Sequence, residues 1–178
     1  VVRLVGSEMC IRDRDYADAI DAGNIHVLSG FAGGEAAEAC FVENLRYAAD
    51  AAAPRGHTIL IEPLNHHDAP GYFLNHTEKA RRIIEAVGAP NLKLMFDCYH
   101  IQILEGDLTR RIDANLDITG HIQFAGVPSR GRPDMGEVNY AHIFAHLAAR
   151  GYDAPLGAEY RPEAGDTDAS LGWMAALR

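Results

Sequence analysis

Short apolar runs alternate with amphipathic helical segments along most of the chain, and this alternation restricts the fold more than any other feature. Five runs are predicted β-strands, covering Asn24 to Ser29, Thr58 to Glu62, Leu92 to Asp97, His121 to Ala125 and Pro155 to Tyr160. Helical spacing of apolar residues predicts helices over Glu35 to Ala53, Thr77 to Val87, Gly106 to Leu116 and Tyr140 to Ala149. Such a repeat is typical of βα units that build a parallel sheet.

The repeat fits either an open doubly wound sheet or part of a closed barrel. The chain has 178 residues, whereas a complete (β/α)8 barrel has about 250 and at least about 200. The glycine fingerprint of dinucleotide-binding sheets and the P-loop are both absent from the sequence, which removes the commonest reasons for an open sheet. The expected fold class is α/β, a partial (β/α)8 TIM barrel of roughly the C-terminal five βα units over residues 15–178.

The first fourteen residues do not continue this pattern. The chain begins with Val1, and the run GSEMCIRDR at residues 6–14 resembles translated sequencing-adapter read-through. We therefore expect residues 1–14 to be an artefactual segment and the chain to be a fragment that lacks the first barrel units. An incomplete barrel exposes two sheet edges, which favours self-association into a homo-oligomer.

The composition limits the classes of partner. The chain has 16 Lys and Arg against 25 Asp and Glu, a net charge of −9, which repels phosphate backbones and argues against nucleic acid. No apolar stretch reaches the roughly 20 residues of a membrane span, and no secretory signal pattern opens the chain. Three cysteines fit neither a disulfide framework nor a cysteine-based zinc site. The sequence therefore predicts a cytoplasmic protein with a small-molecule partner and no membrane association.

Four of the five predicted strands end in a side chain that carries an oxygen ligand: Glu62, Asp97, Gln123 and Glu159. Their separations of 35, 26 and 36 residues are close to the roughly 30 residues of a βα unit. All four are therefore expected at the C-terminal rim of the sheet, where TIM barrels carry their active sites. Three carboxylates and an amide oxygen need a cation when they are buried together. These hard ligands suit Mg²⁺ or Mn²⁺ better than zinc.

Four further residues are predicted to bind substrate. Strand alternation places Arg161 on the face of Glu159 and Lys93 on the face of Asp97, so both are candidates for binding a substrate carboxylate, and arginine has the better bidentate geometry. His100 follows Asp97 by three residues, and Asn65 lies in the loop after Glu62; each is close enough in sequence to reach the same pocket.

At these motifs the chain resembles the hydroxypyruvate isomerase family of xylose-isomerase-like TIM barrels, including its 2-oxo-tetronate isomerase branch. The ordered blocks LIEPLN, LMFDCYH, HIQFAG, GEVNY and GAEYRP carry the resemblance. It implies that Glu62 and Glu159 are the catalytic acid/base pair, and that Glu62, Asp97, Gln123 and Glu159 hold the metal ion.

The resemblance also implies the reaction. The expected activity is a metal-dependent interconversion of hydroxypyruvate and tartronate semialdehyde by enediolate proton transfer, with a short oxo acid as the small-molecule partner. The alternatives are a 2-oxo-tetronate isomerase, a sugar epimerase of the same superfamily, or an inactive fragment of such an enzyme. A multi-metal phosphodiesterase of the endonuclease IV type is disfavoured by the net charge of −9.

Overall fold

The computed structural model describes residues 13–175. Within this range five parallel strands form one sheet, in the order β1 (Asn24–His26), β2 (Thr58–Ile61), β3 (Leu92–Asp97), β4 (Thr119–Phe124) and β5 (Leu156–Ala158). Spatial order follows chain order, and the sheet curls into a half-barrel. The predicted α/β partial TIM barrel is confirmed, although each strand except β3 differs from its predicted bounds. The predicted artefactual segment falls on residues 1–14, of which 1–12 lie outside the described range.

Helices connect the strands and cover one face of the sheet. They are α1 (Glu35–Ala52), α2 (Thr77–Val87), α3 (Cys98–Leu104), α4 (Leu108–Asn115), α5 (Tyr140–Ala149) and the short α6 (Thr167–Ser170). Residues 13–19 are also helical, and 3-10 turns cover Ala53–Arg55, Leu116–Ile118, Glu163–Gly165 and Leu171–Ala175. The predicted bounds of α2 and α5 agree with the structure. Of the residues described, no helix is both long and apolar enough to cross a membrane.

The region after β3 differs from the sequence prediction. One helix over Gly106 to Leu116 was expected, but two helices are present, and α3 begins directly after Asp97. Gly106 and Asp107 separate α3 from α4, with φ angles of 66° and 50° that interrupt the right-handed helix. Asp97 starts α3 by accepting a 2.8 Å hydrogen bond from the backbone N–H of Tyr99. The same carboxylate thus ends a strand and begins a helix.

Strand alternation divides the sheet into an apolar outer face and a more polar inner face. Ile61, Leu94, Phe96 and Ile122 are buried in the core cluster that includes the helices. The core extends to Trp173, whose ring contacts those of Phe124 and Tyr160 edge-on at centroid distances of 5.7 and 6.0 Å. Side chains from the alternate positions are left on the inner face, where the strand-end polar residues lie.

Candidate active site

The carboxyl ends of the strands form a cleft of about 320 Å³. Three of the four predicted oxygen ligands line it, namely Glu62, Gln123 and Glu159. Asp97 lies behind this lining with only 1 % of its surface exposed, and it is the register partner of Gln123 between β3 and β4. The parallel register therefore brings oxygen ligands from four consecutive strands to one edge of the half-barrel.

Glu62 and Asp97 form the buried acidic floor of the cleft. Burial, with further contributions from the Asp97 and Glu159 carboxylates, raises the pKa of Glu62 to about 9. Burial also raises the pKa of Asp97 to about 7, although the N–H of Tyr99 and the guanidinium of Arg130 act in the opposite direction. Both carboxyl groups are therefore costly to ionise together unless a cation compensates their charge.

Several polar atoms in the cleft are buried without a hydrogen-bond partner in the described part of the chain. They are Oε1 of Glu62, Oδ2 of Asp97, Oε1 of Gln123 and Nε2 of His100. Buried polar atoms without partners are rare in proteins and indicate a water or ion. Three of these four atoms are oxygens of the predicted ligand set. The buried acidic cluster could therefore hold a metal ion.

His100 and His26 are the two histidines that line the cleft. The Nε2 atom of His100 lies 3.9 Å from Oε1 of Glu62 and 3.8 Å from Oδ2 of Asp97, and the ligand atoms of these three residues all lie within 4.8 Å of one another. By spacing alone this trio could hold a metal ion. His26 is the last residue of β1, and its Nε2 lies 3.6 Å from Oε2 of Glu62. Burial lowers the pKa of each imidazole to about 4, with Arg130 adding to the effect on His100.

Arg130 supplies a positively charged side chain to the lining of the cleft, and the sequence prediction did not include it. It lies in the loop after β4, and its guanidinium is 3.0 Å from Oε2 of Glu159 and 3.6 Å from Oδ2 of Asp68. The tight loop depends on Gly126 and Gly136, because a Cβ atom at either position would overlap backbone oxygens of the same loop. The sequence signal that could have pointed to Arg130 is its position in the loop after β4, since loops after barrel strands face the active site.

The two cations predicted to bind a substrate carboxylate are not in this cleft. Arg161 is exposed and does not line the cleft. Because β5 ends at Ala158, the strand alternation used to predict its orientation does not extend to Arg161. Lys93 does not line the cleft either: its Nζ lies 3.5 Å from the carbonyl oxygen of Asp117, which precedes β4. Lys93 therefore extends toward the opposite end of the strands from the cleft.

Asn65 lies beneath the cleft instead of lining it. The residue is fully buried, and its side chain contacts Nδ1 of His100 at 2.8 Å and Oδ2 of Asp68 at 3.2 Å. Its oxygen accepts backbone N–H groups from His67 and Asp68 at 2.9 and 3.0 Å. The predicted substrate-binding role of Asn65 is not supported by this position. The structure places the side chain as a support for His100 and for the loop after β2.

Comparison with known proteins identifies the family. The sequence model of the xylose isomerase-like TIM barrel family matches residues 6–177. The chain belongs to this family. Among solved structures, the AP endonuclease family 2 protein of Brucella melitensis is 42 % identical to this chain, with a TM-score of 0.88. The match covers all of this chain and 72 % of that one. The 3-keto-D-glucoside 4-epimerase of Escherichia coli shares the fold at 24 % identity and a TM-score of 0.84, over 99 % of this chain and 71 % of the epimerase.

Two curated relatives within the family are isomerases. The 2-oxo-tetronate isomerase of Cupriavidus necator is 48 % identical over 167 residues, which cover 92 % of this chain. The hydroxypyruvate isomerase of Escherichia coli is 40 % identical over 168 residues, again 92 % of this chain. In both cases the match spans 64 % of the relative's length. The expected resemblance to hydroxypyruvate and 2-oxo-tetronate isomerases is confirmed.

Proposed function

We propose that this protein is a metal-dependent isomerase that interconverts hydroxypyruvate and tartronate semialdehyde. The observation that carries the proposal is the pair of glutamates on one cleft: Glu62 is buried on its floor, and Glu159, with 54 % of its side chain exposed, lies at its rim. The isomerase names of the curated relatives support the same reaction class. Burial raises the pKa of Glu62 to about 9, which suits this carboxyl group to hold a proton in such a pair.

The reaction moves a carbonyl group between adjacent carbons. One glutamate carboxylate removes a proton from C3 of hydroxypyruvate, and the electron pair of the broken C–H bond forms the C2–C3 double bond of an enediolate. The other glutamate, in its protonated form, gives a proton to C2, while the proton of the C3 hydroxyl passes to the C2 oxygen. The product is tartronate semialdehyde, with no net gain or loss of protons. We assign these two transfers to Glu62 and Glu159.

A divalent cation would be held by Glu62, Asp97, Gln123 and Glu159. The unpartnered oxygens of the first three support this assignment. When bound, Mg²⁺ or Mn²⁺ would polarise the substrate carbonyl and stabilise the negative charge of the enediolate. The cation would also lower the cost of keeping three acidic groups ionised around one buried point.

Arg130 would bind the substrate carboxylate. Among the cleft-lining residues it is the one with a permanent positive charge, and its planar guanidinium can form two parallel hydrogen bonds to a carboxylate. A charged partner for the substrate favours an oxo acid over an uncharged sugar. A 2-oxo-tetronate is the second candidate substrate, because it presents the same carboxylate and carbonyl beside a longer chain. A sugar epimerase would use the same two glutamates but would leave Arg130 without an anionic partner on the substrate.

The proposal is tested by substrate turnover and by exchange of substrate hydrogen with solvent deuterium. Hydroxypyruvate, tartronate semialdehyde and 2-oxo-tetronate are each incubated with the 178-residue chain and Mg²⁺ or Mn²⁺. Glu159→Gln should lower turnover by at least about a hundredfold, the usual scale for losing a general acid or base. Glu163→Gln is the matched control, because Glu163 is an exposed acid four residues further along the chain.

The full-length relative from Cupriavidus necator serves as a second arm, since this chain spans only part of its length. The aligned glutamate is substituted there in the same way. An inactive chain beside an active relative would support the fragment alternative. Undiminished turnover by the Glu159→Gln variant would contradict the proposal. So would a chain that catalyses the exchange of solvent deuterium into uncharged sugars but not into oxo acids.

A further inference from the structure

The amide of Asn65 has one possible orientation. Its Oδ1 atom accepts the backbone N–H groups of His67 and Asp68, and an amide nitrogen could not accept either of them. The Nδ2 atom must therefore be on the other side of the side chain, where it donates to Nδ1 of His100 at 2.8 Å and to Oδ2 of Asp68 at 3.2 Å. Every hydrogen-bonding group of this buried amide is used.

A second donor reaches the same nitrogen of His100. The backbone N–H of Asn65 donates to Nδ1 at 3.0 Å, so the main chain and the side chain of one residue both point N–H groups at it. A ring nitrogen that accepts a hydrogen bond carries no proton, and the proton of a neutral imidazole is then on the other nitrogen. The hydrogen bonds therefore define His100 as the tautomer with a proton on Nε2, the atom that faces the Glu62 and Asp97 carboxyl groups.

We propose that Asn65 is a positioning residue that holds His100 as the Nε2–H tautomer, so that His100 donates a hydrogen bond into the cleft and does not ligate the metal. Ligation by Nε2 would require its lone pair, and the proton would have to move to Nδ1 against two N–H groups. The metal ligands would then be oxygens alone, although the spacing of Glu62, Asp97 and His100 would also admit a Glu/Asp/His site. An all-oxygen set favours Mg²⁺ or Mn²⁺ over zinc.

The tautomer also gives His100 a defined part in the proposed isomerase reaction, on which this part of the inference rests. An N–H group aimed into a buried cleft stabilises an oxygen at which negative charge develops. Because Nδ1 is occupied by donors, His100 cannot take up a proton on Nδ1 while these hydrogen bonds last. It is therefore suited to a fixed donor and unsuited to a proton relay.

The test is a two-bond ¹H–¹⁵N correlation spectrum of the protein labelled at its histidine ring nitrogens. The pattern for each ring distinguishes a proton on Nδ1, on Nε2 or on both. The chain has nine histidines, so His100 is assigned as the signal that His100→Gln removes. Wild-type protein is expected to show Nδ1 as an acceptor and Nε2 as protonated, and addition of Mg²⁺ or Zn²⁺ should leave this pattern unchanged.

Asn65→Asp tests the positioning role. The new carboxylate keeps the two contacts to the backbone of His67 and Asp68 but offers His100 an acceptor in place of the Nδ2 donor. The backbone N–H of residue 65 still points at Nδ1, so part of the His100 population, and not all of it, should gain a proton on Nδ1. Asn75→Asp is the matched control, because Asn75 is an exposed asparagine outside the cleft whose side chain contacts a different histidine, His76. If Asn65→Asp does not fold, Asn65→Ser is used; it keeps the backbone donor and should show a mixture of the two tautomers.

Three results would overturn the inference. They are a wild-type His100 with a proton on Nδ1, an Nε2 signal that converts to the metal-bound type when a metal is added, and an unchanged His100 pattern in whichever Asn65 variant folds. The spectra require no turnover. A chain with the expected tautomer but no isomerase activity would therefore contradict the proposed function and leave the role of Asn65 intact.

Discussion

The guanidinium of Arg130 lies 3.0 Å from Oε2 of Glu159, so a loop cation contacts a strand-end carboxylate across the mouth of the cleft. The same group lies 3.9 Å from Oδ2 of Asp97 and above the ring of Tyr99, at 5.1 Å from its centroid. The backbone of Arg130 has a φ angle of 54°, in the left-handed region that few non-glycine residues adopt. Such a conformation is more common at functional sites, where the surrounding structure holds it.

Arg130→Gln should weaken the binding of hydroxypyruvate. Loss of a charge-assisted hydrogen bond costs about 1.5 to 3 kcal/mol, which corresponds to an increase of about 10- to 150-fold in KM or in the dissociation constant. The effect should be smaller for an uncharged three-carbon hydroxyketone, which has no carboxylate to lose its partner. Steady-state kinetics or calorimetric titration of both compounds measures the difference.

Arg161→Gln is the matched control for this change. Arg161 is exposed, and its recorded contact to the loop is a backbone hydrogen bond to the carbonyl oxygen of Arg130, which the substitution keeps. Binding should therefore stay within about twofold of wild type, as is usual for surface changes. Equal losses in the Arg130 and Arg161 variants would show that the substrate carboxylate is bound elsewhere.

Mg²⁺ or Mn²⁺ should stabilise the folded chain. The unpartnered oxygens of Glu62, Asp97 and Gln123 are brought together only in the folded state. The folded chain therefore binds the cation, and the unfolded chain does not. A ligand at a hundred times its dissociation constant adds about 2.7 kcal/mol to the free energy of unfolding. Thermal unfolding with and without each metal measures this gain. Gln123→Leu should reduce it, whereas Gln102→Leu, on α3, should not. A gain that is the same in both variants would contradict a role for Gln123 as a ligand.

The stability of the metal-free protein should fall as the pH rises from about 7 to 9. The pKa of Glu62 is raised from its ordinary 4.5 to about 9, so over this range the folded state holds a proton that the unfolded state has released. Stability then decreases with pH, by at most about 1.4 kcal/mol per pH unit for one proton. Below pH 7 the contributions are mixed. The pKa of Asp97 is raised to about 7, so Asp97 acts in the same direction as Glu62, whereas the pKa values of His26 and His100 are lowered to about 4 and their effect on stability has the opposite sign.

Urea unfolding at several pH values checks this dependence. Glu62→Gln removes the titrating group and should flatten the slope between pH 7 and 9, while Glu163→Gln, at an exposed acid, should keep the slope of wild type. A variant lacking the Glu62 carboxyl with an unchanged slope would place the titration on another residue.

The positions of the four strand-end residues could be predicted from the sequence because βα units repeat at a nearly constant length. Parallel strands then end at one edge, and the spacing of Glu62, Asp97, Gln123 and Glu159 contains the information needed to place them together. The bounds of β3 were predicted correctly for a related reason: its apolar run is continuous and ends in an acid. The start of α3 was missed because Asp97 is both the last strand residue and the helix cap.

Strand or helix periodicity could not place Arg130, because its position depends on the path of a loop. The chain turns back through Gly126, where an antiparallel bridge to Gly131 closes the loop, and no helical or strand spacing reports such a path. Arg161 is the complementary case. Its prediction extended strand alternation past Ala158, where β5 ends, and the residue found in the cleft lining is Arg130 instead of Arg161.

Gly136→Ala should disturb the loop that carries Arg130 and so connect stability with substrate binding. Gly136 has a φ angle of 102°, and an added Cβ atom would overlap the carbonyl oxygen of Val127 on the facing part of the loop. Because the overlapped atom belongs to the backbone, no side chain can move aside to make room, and the loop itself must move. The expected cost is about 1 to 3 kcal/mol of strain, together with weaker binding of hydroxypyruvate if Arg130 is displaced.

Gly33→Ala is the control, because an added Cβ atom there meets nothing within 4 Å and the backbone has no positive φ angle. Its effect on the free energy of unfolding should remain within about 0.5 kcal/mol. The double variant Arg130→Gln with Gly136→Ala separates the two consequences. Loop strain should add to the loss of stability in that variant, but substrate binding should be no weaker than in Arg130→Gln alone, since the glycine acts on binding through Arg130. A further loss of affinity in the double variant would mean that the loop contacts the substrate through another group.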